Sequence, residues 1–298
     1  MLMLSKPAIF SFAECLWFLD RNYDDCLHVI RTDAAVRWVR FGDQKALVEV
    51  TETTDALRVK ILNGALPDTN LLVAYVNDWF DLRTDIRPFY RKLENQPELA
   101  FMTQAYRGLR LVGIPDLFEA LCWSIIGQQI NLTFAYRLKR ALVERYGEHL
   151  SHDGMDYYLF PEPSVLAKMS PTELRDIQFS RQKAEYIIGI ARAFVDGEIS
   201  KELLLDLDNE QAIEKKLVRF RGIGPWTANY AMMKCLRCPN ALTYGDAGLY
   251  AALHRLKGFP KRPSREQLEA FFADFAGWRA YLVLYLWRTL SVSKSTAR

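Results

Sequence analysis

Two segments of the sequence contain groups that could bind an anion or stabilise a charge. Gly222 and Gly224 bracket a tight turn in RFRGIGPW, and Pro225 suits the first position of a following helix. Glycines let another backbone approach closely, and the free N–H groups at a helix start favour a phosphate. Further along, Asp246 follows Gly245 at a second helix start, where its carboxylate could stabilise positive charge on a bound ligand.

Both parts also allow a plain structural interpretation. A glycine pair between helices is common at ordinary helix corners, and apolar Leu217 and Ile223 flank this one. Aspartate is likewise a frequent N-cap that only satisfies backbone N–H groups. Arg219 and Arg221 beside the turn favour the phosphate-binding interpretation without excluding the corner.

The charge is weakly basic overall but unevenly distributed. The 298 residues carry a formal net charge of +3. Residues 1–100 hold 12 lysines and arginines against 15 acids, whereas residues 201–298 hold 16 against 9. A site for a polyanion is therefore expected in the C-terminal third, where the glycine turn lies. Half the residues are hydrophobic and no long apolar run or signal peptide is evident, so we expect a globular, cytoplasmic protein.

The cysteines give little sign of a metal or redox site. They are Cys15, Cys26, Cys122, Cys235 and Cys238, an odd number without the dense spacing of a disulfide scaffold. Cys235 and Cys238 form a CxxC that could be half of a zinc site or a redox pair. No second CxxC or pair of histidines follows, so reduced thiols at a helix end are the favoured interpretation.

The hydrophobic pattern divides the chain into two regions. Ala46 to Thr51 and Leu57 to Leu62 alternate apolar and polar residues, which predicts antiparallel strands with one buried face. From about Asp116 the apolar period lengthens to 3.6, which predicts that the remainder is helical. The expected fold class is α+β, with a small antiparallel β-rich N-terminal domain at residues 1–80 and a mainly α-helical domain at residues 81–298.

Capping signals place the helices of the second region. The sequence SPTE at residues 170–173 combines a serine cap, a proline at the first position and a glutamate three residues after the cap. Such signals and the apolar period predict helices at Ser170–Asp176, Gln182–Asp196, Asn209–Arg219, Pro225–Cys235, Asp246–Leu256, Ser264–Phe275 and Trp278–Leu290. The two helices that flank the glycine turn form a helix-hairpin-helix unit at about residues 209–235.

A family resemblance is carried by the hairpin and by the aspartate that follows it. RGIGPWTANY and TYGDAGLYAAL together resemble the signature of the helix-hairpin-helix DNA glycosylase superfamily. GLRLVGIPDLFEALCWSIIGQQIN is similar to the opening of that family's helical domain, FSRQKAEYIIGIARA to its middle helix and WRAYLVLYLWR to its last helix. The resemblance covers about residues 80–290, and it is greatest to the 3-methyladenine DNA glycosylase II branch, whose chains also begin with a small β-rich domain.

The resemblance implies a base-excision repair enzyme that binds damaged double-stranded DNA and rotates the damaged nucleotide into a pocket. It implies hydrolysis of the N-glycosidic bond of alkylated bases of the 3-methyladenine and 7-methylguanine type. By position, Asp246 is the implied catalytic carboxylate, which stabilises the sugar as it becomes oxocarbenium-like. The implied grip on the DNA backbone is the hairpin, with Arg221, Gly222, Ile223, Gly224 and Thr227.

The resemblance also implies an aromatic base pocket, since electron-rich ring faces attract a cationic base. Trp226 and Trp287 match the family's stacking tryptophans, and Tyr230 matches a pocket tyrosine. Trp123 and Tyr285 are weaker candidates. For each of these five aromatic residues, an ordinary helix-core position is the alternative.

At two places the sequence differs from some members of the resembled family, and each difference excludes a chemistry that those members use. Members that also cut the strand carry a lysine nucleophile where this chain has Trp226, so a monofunctional hydrolase that leaves an abasic site is implied. No cysteine follows Cys238, so the iron–sulfur cluster of some relatives is not expected. No cofactor is required by the resemblance.

Two further sites are implied only by their position in the family. The wedge that fills the vacated space in the duplex falls on Gln128 and Gln129, although the alkylpurine enzyme has a leucine where Gln129 stands. A solvent-facing or helix-capping amide is the alternative. A monovalent cation on the main-chain carbonyls of Val218, Phe220 and Ile223 would bridge the hairpin to a DNA phosphate.

Two competing functions stay open from the sequence. A non-catalytic DNA-binding module could use the hairpin only to hold the backbone, but it would need neither the downstream aspartate nor an aromatic pocket. A glycosylase for oxidised purines would keep the architecture and change the pocket, and the missing lysine argues against the best-known members of that group. A monomer acting on DNA, without a membrane, is the expected state.

Overall fold

The computed structural model describes residues 1–21 and 23–291 and combines an N-terminal antiparallel sheet with a larger helical region. The strands of this described part, numbered in chain order, are β1 (Leu2–Ser5), β2 (Val29–Ile30), β3 (Ala34–Phe41), β4 (Gln44–Glu52), β5 (Ala56–Gly64), β6 (Glu148–His152) and β7 (Met155–Leu159). The first five form one sheet in the order β1-β5-β4-β3-β2, and β6 pairs with β7.

The two predicted strands lie inside β4 and β5. Val50 faces Val59 of β5 on one side and Ala35 of β3 on the other, all in antiparallel register. These three side chains are buried because one face of the sheet packs on the core. The expectation of an antiparallel β-rich N-terminal region is confirmed.

One helix lies near the N-terminus, and helices make up most of the described chain after residue 68. They are α1 (Phe12–Leu19), α2 (Thr69–Phe80), α3 (Arg87–Glu94), α4 (Met102–Ala105), α5 (Leu117–Gly127), α6 (Leu132–Tyr146), α7 (Pro163–Leu166), α8 (Pro171–Arg175), α9 (Arg181–Val195), α10 (Lys201–Leu205), α11 (Glu210–Leu217), α12 (Pro225–Ala231), α13 (Ala247–Lys257), α14 (Arg265–Phe272) and α15 (Arg279–Thr289). Among the described residues, no helix has the length and apolar character needed to cross a membrane.

The predicted helices are present, and most of their ends follow the capping signals. Ser170 and Glu173 form the reciprocal capping box that SPTE predicts for α8. The helix predicted from Pro225 to Cys235 is α12 followed by a π-helical turn over Met232–Leu236. Arg237, in a left-handed conformation at φ +60°, ends that turn.

The prediction that the chain is helical from Asp116 onward is wrong at residues 148–159, where β6 and β7 form a hairpin. Asp153 and Gly154 join the strands with φ values of +49° and +72°, which suits the Asp-Gly pair of a tight hairpin turn. Tyr157 of β7 packs with Val36 and Leu47 of the N-terminal sheet. The hairpin therefore covers the face of that sheet turned away from the main core.

Buried ion pairs join the sheet to the helical region. Arg37 of β3 pairs with Glu119 of α5, and Asp25, shortly before β2, accepts hydrogen bonds from the Lys139 Nζ of α6 at 2.9 Å. Burial alone would raise the pKa of Asp25, but the Lys139 cation outweighs it and holds that pKa well below its usual range. These pairs fix the segment after α1 against α6. One hydrophobic core runs through both regions, and the domain boundary near residue 80 stays a prediction.

Candidate active site

A cleft of about 2240 Å³ brings together nearly all of the site residues expected from the sequence. It lies where the hairpin between α11 and α12, the loop between α5 and α6, and the start of α13 meet. Its walls include Trp123, Gln128, Gln129, Val218, Phe220, Arg221, Gly222, Ile223, Gly224, Trp226, Thr227, Tyr230, Asp246 and Trp287. The space is large enough for a nucleotide turned out of a duplex.

The hairpin at one rim of the cleft has the tight geometry that its glycines predict. Gly222 has a φ of +94°, and a Cβ built on it would lie 2.2 Å from Cγ of Tyr186. The N–H of Ile223 donates to the carbonyl of Phe220 at 3.0 Å and closes the turn. Gly224 then takes the N-cap position of α12, where no side chain caps the first N–H groups. The turn thus requires glycine at 222 and leaves a bare helix start exposed at 224.

Gln128 holds the hairpin from the protein side, which argues against its predicted role as a wedge. Its Nε2 donates to the carbonyl of Gly222 and to Oγ1 of Thr227, both at 2.9 Å. A side chain engaged in two such hydrogen bonds cannot enter a duplex without releasing them. Thr227 is itself buried, so its hydroxyl supports the turn rather than facing a phosphate.

Gln129 differs from its neighbour in exposure and conformation. It lies in the α5–α6 loop with a φ of +56°, its side chain is exposed, and it lines the cleft. A non-glycine residue in the left-handed region is uncommon and is often found at functional sites. Of the two glutamines, Gln129 is the one whose side chain is exposed in the cleft.

Substitutions of Gln128 and Gln129 should differ in their effects on stability and on activity. Gln128→Ala leaves the carbonyl of Gly222 and the Thr227 hydroxyl without their partner, so we expect the free energy of unfolding to fall by about 1–3 kcal/mol. Gln129→Ala removes an exposed side chain and should change that energy by about 0.5 kcal/mol or less while lowering base release. Denaturant unfolding of both variants measures the difference. Equal stability losses would contradict the assignment of Gln128 as the support of the hairpin.

Asp246 stands at the start of α13 and accepts three hydrogen bonds. Its Oδ1 accepts the N–H of Leu249 at 2.6 Å, the N-cap bond that the structural alternative predicts. The indole Nε1 of Trp287 donates to the same oxygen at 2.8 Å, and that of Trp226 donates to Oδ2 at 3.1 Å. The capping bond and the two indoles together fix the carboxylate at the wall of the cleft, so the capping bond does not exclude a chemical role.

Three aromatic rings line the cleft beside Asp246. The ring centroids of Trp226 and Tyr230 lie 5.5 Å apart at an interplanar angle of 29°, and those of Tyr230 and Trp287 lie 6.3 Å apart. Trp123 packs behind them and donates its Nε1–H to the hydroxyl of Tyr230 at 3.0 Å. Burial raises the pKa of the Tyr230 hydroxyl, which therefore stays neutral and available as a hydrogen-bonding group.

Tyr285 does not belong to this pocket, contrary to the prediction. Its side chain is fully buried, its hydroxyl lies 3.0 Å from that of Tyr90, and it donates to the carbonyl of Leu109 at 3.0 Å. Trp287 lies two residues further along α15, on a different side of the helix, and reaches the cleft. The core interpretation is therefore correct for Tyr285.

The N-terminal region supplies cleft residues that the sequence did not reveal. Phe18 at the end of α1, with Arg21 and Tyr23 just beyond it, lines the same cleft. The ring of Tyr23 stacks on that of Tyr136 at 4.9 Å, and Tyr136 packs against Trp123 at 4.5 Å. More than a hundred residues separate these side chains from the hairpin, so no local pattern could have placed them there.

Lys183 of α9 is another cleft residue that the sequence did not reveal. Its Nζ donates to the carbonyl of Ile126 at 2.6 Å, near the C-terminal end of α5. Burial lowers its pKa. The contact occupies one orphan carbonyl of the helix end that leads into the glutamine loop.

Cys235 and Cys238 are buried as free thiols. Burial raises the pKa of each thiol to about 12, so neither is a thiolate near neutral pH. Cys235 donates to the carbonyl of Pro115 at 3.4 Å and thereby ties the π-helical turn to the segment before α5. The structural interpretation of the CxxC is the one that these environments favour.

Two known protein families match this chain, and the residues that one of them matches include most of the cleft. The family described as HhH-GPD superfamily base excision DNA repair protein matches residues 122–276, which span the cleft from Trp123 to Asp246. The AlkA N-terminal domain family matches residues 2–116, which include the sheet. The chain belongs to the HhH-GPD superfamily.

Relatives within the HhH-GPD superfamily include enzymes of alkylation repair. The chain is 38% identical over 294 residues to the DNA-3-methyladenine glycosylase of Bacillus subtilis, which covers 97% of each chain. It is 32% identical over 182 residues to the DNA-3-methyladenine glycosylase 2 of Escherichia coli, which covers 61% of each. The expected family and its alkylation-repair branch are confirmed.

A solved structure shares the whole HhH-GPD architecture described above. The 3-methyladenine DNA-glycosylase from Archaeoglobus fulgidus superposes with a TM-score of 0.84 over 98% of this chain and 100% of its own, at 22% sequence identity. This likeness shows the fold. The β-rich N-terminal region followed by helices is therefore shared over the full length of both chains.

Proposed function

We propose that this chain is a base-excision repair glycosylase that removes alkylated bases of the 3-methyladenine and 7-methylguanine type from double-stranded DNA. One observation carries the proposal: a carboxylate held by two indole N–H groups stands at an aromatic cleft whose rim is a helix-hairpin-helix. The relative from Bacillus subtilis, similar over nearly the whole chain, is a DNA-3-methyladenine glycosylase by name. Hairpin, carboxylate and aromatic wall meet three separate requirements of base excision.

The first requirement is stabilisation of the reacting sugar. As the bond between C1′ and the base nitrogen breaks, its electron pair leaves with the base and C1′ becomes cationic. The carboxylate of Asp246 stabilises that cation, and its three hydrogen bonds keep it oriented without movement during the reaction. A water oxygen then bonds to C1′ and gives up a proton, which leaves an abasic site and a free base.

The second requirement is selection of the damaged base. Methylation at N3 of adenine or N7 of guanine gives the base a positive charge before it leaves, so little acid catalysis is needed. The faces of Trp226, Tyr230 and Trp287 attract such a cation, with about 0.5–2 kcal/mol for each favourable contact. An undamaged, neutral base gains less from the same rings.

The third requirement is a grip on the DNA backbone. The turn at Gly222 and the bare helix start at Gly224 bring main-chain N–H groups to the surface, where a phosphate fits. Arg221 beside them is exposed and lies 3.2 Å from Glu185, a surface contact that a phosphate can replace. Gln129, which is exposed and lines the same cleft, would fill the space left by the flipped nucleotide.

A monovalent cation would complete this grip. The carbonyls of Val218 and Phe220 follow the last turn of α11, and that of Ile223 precedes Gly224. Oxygen atoms at a helix end without their own ladder partners suit such an ion. The Phe220 carbonyl accepts one hydrogen bond from Ile223 and keeps a second lone pair. We propose this cation as a link to phosphate and assign it no part in the chemistry.

We further propose that the enzyme is monofunctional, because Trp226 stands where a lyase of this family has its lysine. On a duplex with one alkylated base, we expect the strand to stay whole until alkali cleaves it at the new abasic site. Within the described residues, the lysine that lines the cleft is Lys183, and its Nζ is already engaged with the carbonyl of Ile126. Borohydride treatment during the reaction should therefore trap no covalent complex.

The trapping experiment has a matched control. If borohydride does trap the protein on DNA, Lys183→Ala should be compared with the parent protein. An adduct that disappears in the variant would identify Lys183 as an amine nucleophile and overturn the monofunctional assignment. Strand cleavage without alkali would overturn it as well, whereas absence of any alkali-labile site would contradict the glycosylase function itself.

A further inference from the structure

Arg21 is a cation in the aromatic part of the cleft. It follows α1 and lines the cleft together with Phe18, Trp123 and Tyr230. Its guanidinium carbon lies 4.2 Å from the centre of the Phe18 ring, which gives the planar group a platform. Burial raises the pKa values of the Tyr136 and Tyr230 hydroxyls, and the positive charge of Arg21 partly offsets that rise. The charge of Arg21 therefore influences the residues at the back of the base pocket.

The neighbouring acids do not neutralise this arginine. Asp24 pairs with Arg140, and Asp25 binds Lys139 at 2.9 Å. Within residues 1–21 and 23–291, no carboxylate oxygen lies within 4.0 Å of the Arg21 guanidinium, and its Nε is buried without a hydrogen-bond partner. The guanidinium therefore lines the cleft without an anionic partner among the described residues, and an N–H group that reaches the cleft can donate to an acceptor there.

We propose that Arg21 determines specificity by donating hydrogen bonds to a carbonyl oxygen of the flipped base. The ligand class is a purine with an oxygen at position 6. The arginine side chain has only hydrogen-bond donors. An oxygen at position 6 of the purine can accept from them, whereas an amino group at position 6 presents further donors. A site built to bind an oxygen discriminates against a base that lacks it, because its polar groups are then left unpaired.

Two methylated purines isolate this effect. In DNA, 7-methylguanine and 3-methyladenine both carry one positive charge, so the repulsion from Arg21 is similar for the two. They differ at position 6, where 7-methylguanine has an oxygen and 3-methyladenine an amino group. The inference rests on the proposed base excision and adds to it that Arg21 shifts the preference toward 7-methylguanine.

The test measures the ratio of the two bases released from a single sample of methylated duplex DNA. Arg21→Met removes the charge and the donors but keeps a long side chain on the Phe18 ring. We expect this variant to lower the release of 7-methylguanine relative to that of 3-methyladenine by about tenfold, the range of a hydrogen bond to a charged group. Arg21→Gln, which is shorter and neutral, should shift the ratio in the same direction.

Arg175→Met is the matched control, since Arg175 also lines the cleft but belongs to a different element, at the end of α8. Loss of this charge should weaken DNA binding for both substrates and leave the ratio unchanged. An unchanged ratio in both Arg21 variants overturns the proposal, whether release falls equally for the two bases or does not fall. If the parent protein releases neither base, the proposed excision fails instead, and the two failures are thereby distinguished.

Discussion

Asp246→Asn should abolish nearly all base release while the protein stays folded. The substitution removes the negative charge at the reacting sugar with little change of shape, and loss of one preorganised electrostatic group lowers the rate by about 100-fold or more. Asparagine keeps an oxygen that can accept the N–H of Leu249, so the cap of α13 survives. Single-turnover kinetics on a duplex with one alkylated base measure the loss.

Binding provides the control for this variant. The affinity for duplex DNA should be unchanged or slightly higher, because a carboxylate near phosphates is replaced by a neutral amide. Equal loss of binding and release would indicate a collapsed cleft rather than a missing catalytic group. Full activity in a folded Asp246→Asn protein would contradict the assignment of Asp246 as the catalytic carboxylate.

Gly222→Ala should damage the hairpin and with it the grip on DNA. A Cβ at this position meets the Tyr186 ring at 2.2 Å, and the φ of +94° is strained for alanine. We expect the free energy of unfolding to fall by about 1–3 kcal/mol and the Kd for duplex DNA to rise by about tenfold or more. The Kd should also depend less on salt concentration, since fewer phosphate contacts release fewer counterions.

Gly189→Ala is the control for this substitution. Gly189 lies on α9, the helix that carries Tyr186, but a Cβ there meets nothing within 4 Å. Alanine in a helix interior should stabilise the protein by about 0.5–1 kcal/mol and leave DNA affinity unchanged. Similar effects of the two substitutions on DNA affinity would show that the turn at Gly222 is not the grip.

The local features of the site could be predicted because short sequence patterns determine them. A glycine turn between helices, an aspartate at a helix start and SPTE each specify backbone geometry within a few residues. The structure has the helices and the antiparallel sheet where those patterns place them. The exception is the hairpin of β6 and β7: the Asp153-Gly154 pair is a tight-turn signal, and the expectation of continuous helix did not take it into account.

The parts that could not be predicted depend on tertiary contacts. Which of two adjacent glutamines keeps a free side chain in the cleft follows from the hydrogen bond of Gln128 to Gly222. Tyr285 and Trp287 lie two positions apart on α15, and only the packing of that helix decides which of them enters the core. Arg21 reaches the pocket because buried ion pairs fix the segment after α1 against α6.

The proposed function requires that this cleft release alkylated bases from DNA. The most direct measurement is mass spectrometry of the free bases released from methylated duplex DNA, with Asp246→Asn as the matched protein. We predict that the parent protein releases 3-methyladenine and 7-methylguanine in amounts that match the alkali-labile sites formed, and that the variant releases almost none. Tight binding of the same DNA by the parent protein without any released base would contradict the claim.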